Sequence, residues 1–193
     1  ISIVLGSLAA YGLAIMKSNW GNRISTFLLF SKLVPTITIM IPLYIILDKV
    51  HLLGTYVGPI LAHVSVNAPF VAWLVLGFIR DIPGDLFEAG KLDGCTRMQV
   101  FWKIVFPLLS PAIGSALLLV MQYSWNELLF SMQYTNLHTY TLTVGVSRFV
   151  GAISVDWGQS SAAATIVMVP IIIAGFFLQK YLVSGLTAGA VKG

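Results

Sequence analysis

The chain has 193 residues, 58% of them hydrophobic and 9% charged, and its 11 Lys and Arg against 7 Asp and Glu give a formal net charge of +4. Soluble domains carry about 25% charged residues, so at this composition and a mean hydropathy of +0.90 a water-facing surface cannot be assembled and the chain reads as an integral membrane protein. A single cysteine, Cys95, excludes an intrachain disulfide framework and a Cys-based metal site.

The chain opens inside an apolar run, residues 1–16, that is free of charge and has no initiator Met or basic region ahead of it. It reads as a truncated span rather than a signal peptide. Residues 24–47 are broken only by Lys32, and 52–79, 104–126 and 157–179 contain no Asp, Glu, Lys or Arg. Apart from the first, each is near or above the roughly 20 residues needed to cross a hydrocarbon core. The runs are continuous rather than alternating, which predicts helices and not barrel strands, because a lone segment satisfies its backbone in lipid only as a helix. Five spanning helices in a single domain, 1–193, are expected, an all-α polytopic bundle.

Two connections are long, 80–103 and 131–156. The first contains Glu88-Ala89-Gly90-Lys91-Leu92-Asp93-Gly94, followed ten residues on by Ile104, Phe106 and Pro107. Pro83 suits a first helical turn, Asp85 and Glu88 are spaced as a capping pair, and Gly94 supplies the left-handed conformation that ends a helix. These predict a helix over 83–93. Thr96 and Gln99 have capping-box spacing, so a second helix is expected to start near Thr96 and run into the membrane toward Pro107 and Pro111. Such a unit presents its first helix as a stiff knob, with Leu86, Phe87, Ala89, Gly90 and Leu92 available to pack. The second connection carries Asn136, His138, Tyr140, Arg148 and Asp156 as its polar content. Its stretch from Tyr140 to Val146 alternates β-branched residues, which suits a re-entrant or surface segment, or contact with a protein outside.

Two polar clusters interrupt the spans. His63 and Asn67 lie one helical turn apart in an apolar run, and Pro69 frees the carbonyl of Ser65 from its intrahelical partner. Gln122, Tyr123, Trp125, Asn126 and Glu127 gather near the end of another run, where amides and aromatic rings suit sugar hydroxyls and sugar faces, although interfacial Trp also anchors spans. The phosphate-loop, His-Glu-x-x-His and Gly-x-Ser-x-Gly motifs are missing from the sequence. A transport role without an ATPase site of its own is expected.

The loop from Glu88 to Pro107 resembles the EAA loop of ABC-importer permeases: Glu-Ala-Ala, three residues, Gly, nine residues, then Ile-x-Leu-Pro. Gly90 stands in place of the second Ala and Phe106 in place of Leu. Further matches point to the carbohydrate branch, similar to the smaller membrane subunit of maltose systems. They include Ile41-Pro42-Leu43-Tyr44, Ala68-Pro69-Phe70, Trp125-Asn126-Glu127, Tyr140-Thr141-Leu142-Thr143 and the closing stretch from Gly185 to Gly193.

The resemblance implies a type I importer permease fold of six helices whose first is absent here. It also implies that 80–103 is the cytoplasmic coupling loop, docking on a separate ATPase dimer through Leu86, Phe87, Glu88, Ala89, Gly90, Leu92, Asp93 and Gly94, with Glu88 making a charged contact. The tail is implied to reach the same ATPase through Gly189 and Lys192, although by itself it is Gly-rich and expected to be mobile. The substrate path would draw on His63, Asn67, Gln122, Tyr123, Trp125, Asn126 and Glu127. The implied partners are the ATPase dimer, a second permease chain, an extracytoplasmic solute-binding protein and the lipid bilayer. ATP and Mg would sit on the partner, no cofactor or metal on this chain, and no nucleic acid is implied.

With 80–103 inside, Lys17, Arg23, Arg80, Lys91, Arg97, Lys103, Lys180 and Lys192 fall on the cytoplasmic side of a bacterial or archaeal plasma membrane. Lys32 lies near an inner end, and only Lys49 and Arg148 fall outside, as the positive-inside bias requires. Two alternatives stay open: a permease for another small polar solute, and an ion-coupled carrier, which calls for an ionisable group in mid-membrane. Glu127 and Lys32 are the nearest approaches to one.

Overall fold

The computed structural model describes residues 1–16, 20–149 and 156–190, with side chains left aside for Lys180 and 182–190; Lys17, Lys192 and Gly193 lie outside the described residues. The elements are helical throughout: α1 Ser2–Ala14, α2 Trp20–Ser31, α3 Thr36–Lys49, α4 Val57–Arg80, α5 Gly84–Leu92, α6 Arg97–Val100, a π-helical turn Phe101–Val105, α7 Phe106–Leu108, α8 Ser110–Asn126, α9 Leu129–Tyr134, α10 Leu142–Ser147 and α11 Trp157–Ala190.

Among the described residues, two helices are long and apolar enough to cross a bilayer alone, α4 and the part of α11 from Trp157 to Gln179. The run 24–47, expected as one span, is two helices whose axes differ by 96°. Pro35 is the cause. It precedes the first residue of α3 with φ −58° and ψ 133°, offers no N–H, and drives the residue before it out of the helical region. The run 104–126 bends by 78° between Leu108 and Ser110, because Pro107 and Pro111 both withhold ladder hydrogen bonds. Counting each bent pair as one crossing gives up to four spans, and α1, with 13 residues, is a shorter apolar helix. Among the described residues, the five expected spans are therefore seen as two, or up to four, long apolar crossings.

The stretch from Tyr140 to Val146 enters a short helix, α10, and Gly145 lets the Tyr140 ring lie close above it, where a Cβ would stand 3.2 Å from the ring. Past Gly185, α11 continues to Ala190. The spanning part of α11 is apolar all round, and Ile166, Phe176 and Phe177 are each about 70% exposed. A helix of that kind takes lipid or another membrane chain as its surroundings.

The chain divides into two compact units. The first comprises residues 1–33, 66–118 and the chain from Leu178. Its core is Val71, Val75, Leu76 and Ile79 of α4 with Ala10 and Tyr11 of α1. Close approach of α1 to α4 depends on Gly6, where a Cβ would come within 2.6 Å of Val71. The second unit comprises residues 34–65 and 119–177. Its centre is Tyr134, fully buried, whose hydroxyl donates to the Met40 carbonyl at 2.6 Å and whose ring stacks on Phe130 at 5.6 Å. Gly54, with φ +73°, closes the turn before α4 and accepts at its carbonyl from Asn136 Nδ2 and Thr139 Oγ1.

Candidate functional site

In the first unit, the chain from Pro83 to Val105 makes a helix, a sharp turn and a second helix, as the loop chemistry predicts. α5 ends in a Schellman motif: Gly94 N–H donates to Lys91 O and Cys95 N–H to Gly90 O, both at 3.0 Å, with Gly94 at φ +76°. A Cβ at Gly94 would meet nothing within 4 Å, so the demand for glycine there is purely one of backbone conformation. The next helix starts with a complete capping box. Gln99 N–H donates to Thr96 Oγ1 at 3.3 Å, and Thr96 N–H donates to Gln99 Oε1 at 2.8 Å.

At the other end of α5 the expected capping pair does not form. Pro83 precedes the helix with φ −55° and ψ 132°, and no side chain caps it. Glu88 is exposed and not tied to its own helix end. Asp85 remains in the first turn, where its charge favours the helix dipole.

The two faces of α5 have different work. Gly90 is buried, and a Cβ on it would fall 2.7 Å from Ile104 Cδ1 and 3.1 Å from Val100 Cγ2. It belongs to the inner contact with α6 and the π-helical turn. Phe87 also turns inward, half-buried and stacked at 6.4 Å on Tyr11. The outward face keeps Leu86, Ala89, Leu92 and Asp93, Leu92 being 89% exposed, and Glu88 stands at the edge between the two faces, exposed and also lining a cavity with Phe87 and Lys91.

Tyr11 holds this hairpin to the rest of the unit, and sequence reading missed it. Its hydroxyl donates to Arg97 O at 2.9 Å and its ring lies 5.1 Å from Phe101. A lone Tyr in an apolar run gives no local signal of a contact 86 residues away. The Tyr11, Phe87 and Phe101 rings thus pack together beneath α5 and join it to α1 and to the helix that follows.

In the second unit, an open cavity of about 570 Å³ is lined by Thr36, Leu119, Gln122, Tyr123, Asn126 and Glu127, with Leu128 and Leu129 beside them. It unites four of the seven residues expected on the substrate path. Trp125 is elsewhere: its indole N–H donates to Val167 O at 3.1 Å, and Thr143 donates to its carbonyl. His63 packs edge-on to Phe130, and Asn67, 1% exposed, is an interior residue of α4 and does not line this cavity. Thr36 had no motif around it.

Glu127 is 8% exposed, and both carboxylate oxygens are engaged. Oε1 accepts from Phe130 N–H at 2.7 Å, and Oε2 accepts from Ser131 N–H at 3.1 Å and Ser131 Oγ at 3.2 Å. The carboxylate thus answers the free N–H groups of α9, where negative charge is also favoured by the helix dipole. The carboxylate is engaged by Phe130 and Ser131, and the cavity's other polar side chains are Thr36, Gln122, Tyr123 and Asn126. Asn126 is half-committed, donating through Nδ2 to Gln122 O at 2.9 Å.

The family of binding-protein-dependent transport system inner membrane components matches residues 2–188. Among individual proteins, the chain is 34% identical to the trehalose/maltose transport system permease protein MalG of Thermococcus litoralis, over all of this chain and 70% of that protein. It is 33% identical to the trehalose transport system permease protein SugB of Mycobacterium tuberculosis, over all of this chain and 72% of the relative. With the melibiose/raffinose/stachyose import permease protein MelC of Bacillus subtilis it shares 33% over 99% of this chain and 70% of the relative. In fold it is similar to a chain of a bacterial ABC transporter involved in the import of the acidic polysaccharide alginate, with a TM-score of 0.67 and 21% identity over 93% of this chain and 71% of that one.

Proposed function

Because the chain belongs to the family of binding-protein-dependent transport system inner membrane components, as a carbohydrate-type ABC-importer permease subunit, we propose that it carries a sugar or oligosaccharide across the membrane under the drive of a separate ATPase dimer. Residues 1–193 act as one permease domain, 80–103 as its cytoplasmic coupling loop and 131–156 as its extracytoplasmic loop. Residues 1–16 and the runs 24–47 and 104–126, each of the latter bent, complete the crossing helices together with α4 and α11. A second permease chain closes the pathway and a solute-binding protein delivers the cargo.

The observation that carries this reading is the rigid hairpin: an internally locked α5 whose free face bears Leu86, Glu88, Ala89 and Leu92. Closure of the ATPase pair on ATP would move α5 as a lever, since its turn and its aromatic base leave no slack. The tail beyond Gly185, with Gly189 and Lys192, would make a second contact with the same ATPase. Gln122, Tyr123 and Asn126 supply hydroxyl-binding groups in the cavity near the outer end of α8. An ion-coupled carrier is disfavoured, because Glu127 is committed to α9 and Lys32 lies over the Phe70 ring at 5.1 Å.

The test is affinity purification of the tagged chain from its own membranes. A nucleotide-binding ATPase is expected to come with it, and Glu88→Lys is expected to lose that subunit while the permease still inserts. Recovery of the intact chain with no ATPase, in a preparation that retains transport, would overturn the reading.

A further inference from the structure

A second cavity, of about 490 Å³, opens in the first unit where α1 and α4 end. Its wall holds three cations, Arg80, Lys91 and Arg97, against a single carboxylate, Glu88. The rest of it includes the apolar Ile15, Ile79 and Phe87. Glu88 apart, none of these groups is needed for a knob to fit a socket. Arg80 closes the 24-residue α4 span, so the cavity lies at the level where that span leaves the hydrocarbon. Arg80 is also held in place, its Nη2 donating to Asn22 Oδ1 at 2.7 Å, and a guanidinium has further N–H donors to offer.

We propose that this cavity binds the phosphodiester headgroup of an anionic phospholipid from the leaflet on the coupling-loop side. Arg80, Lys91 and Arg97 answer the phosphate, and Ile15, Ile79 and Phe87 lie against the glycerol and first methylenes. Basic pockets between helices at the membrane boundary take such headgroups. The apolar part of the wall is what favours a lipid over free phosphate, which has no surface to match it. The site sits behind α5, so a bound lipid ties the coupling helix to the bilayer. The choice of leaflet rests on the orientation proposed above; the lipid site itself does not need an ATPase to be present.

The test uses the full-length protein in its purified complex, placed in nanodiscs of phosphatidylcholine with and without phosphatidylglycerol, with retained lipid counted by native mass spectrometry. The unmodified protein is expected to retain phosphatidylglycerol whether or not an ATPase accompanies it. Lys91→Gln with Arg97→Gln should weaken retention about 30-fold, the equilibrium equivalent of about 1 kcal/mol for each of two basic residues near the surface. Lys91→Glu, a single change at an exposed position, should weaken it in the same direction, and Lys49→Gln should leave it unchanged. Equal phosphatidylglycerol retention in the unmodified and doubly substituted proteins would overturn the proposal. So would full displacement of the lipid by inorganic phosphate, which would make the occupant a free anion. Loss of the ATPase from the double variant at unchanged lipid retention would assign the cations to an acidic partner surface, and that result also overturns it.

Discussion

The hairpin at α5 and the corner between α8 and α9 each carry one glutamate, and they use it in opposite ways. At the hairpin the backbone is satisfied by its own turn: a Schellman motif closes α5 and a capping box opens α6, which leaves Glu88 exposed. At the corner no such local device exists. Glu127 is drawn inside to serve the N–H groups of Phe130 and Ser131. A charge in a membrane protein becomes available to a partner only where the backbone does not need it. The contrast also separates docking from scaffolding among residues that look alike in a list.

The sharpest way to break the contrast is to exchange the two roles. Glu127→Ala leaves two buried N–H groups unanswered and is expected to cost about 3 kcal/mol, whereas Glu88→Ala should leave stability within about 0.5 kcal/mol. Thermal unfolding of the purified variants in detergent measures both, and equal losses would end the distinction.

A smaller loss is expected on the inner face of α5. Gly90→Leu must push Ile104 and Val100 aside, an overpacking cost of about 2 kcal/mol. Gly90→Ala itself meets Val100 Cγ2 at 3.1 Å as well as the end of the Ile104 side chain, so a smaller loss is expected there. The same unfolding series ranks the two, and a Leu variant as stable as the Ala variant would place Gly90 on the surface after all.

Smaller still is the effect at the turn. Gly94→Val forces a Cβ into the left-handed region at about 1–2 kcal/mol, and it should abolish coupled ATP hydrolysis by tilting α5 while membrane insertion stays normal. Because no atom crowds Gly94, Gly94→Asn should keep most of the activity, since Asn tolerates that conformation. Equal damage from Val and Asn would mean that space, and not φ, is what glycine provides.

The hairpin was legible in the sequence because its signals are local: Gly94, Thr96 and Gln99 act within six residues of one another. The loss of helix at Pro35 was equally local, yet apolar continuity over 24–47 hid it, because hydropathy reports what lipid accepts and not whether a backbone stays straight. Glu127 was legible as a polar residue near a span end, but its role depends on the N–H groups of α9, a helix too short to leave a periodic pattern. Tyr11 and Gly90 were beyond reach for a different reason. Their partners, Arg97 and Ile104, meet them only through folding, and nothing in either residue's own neighbourhood encodes the meeting. The four residues that reach the α8 cavity did so as one cluster on one helix end, whereas His63 and Asn67, grouped with them by polarity alone, are interior groups of α4.

The measurement that bears most directly on the outward face of α5 is site-specific photo-crosslinking at Leu92, the most exposed apolar side chain of the loop. A photoreactive residue there, in the complete complex under light, is predicted to give one adduct with the nucleotide-binding subunit and to lose it in Glu88→Lys. A complex that retains its ATPase and yields no such adduct would contradict the assignment of that face as the docking surface.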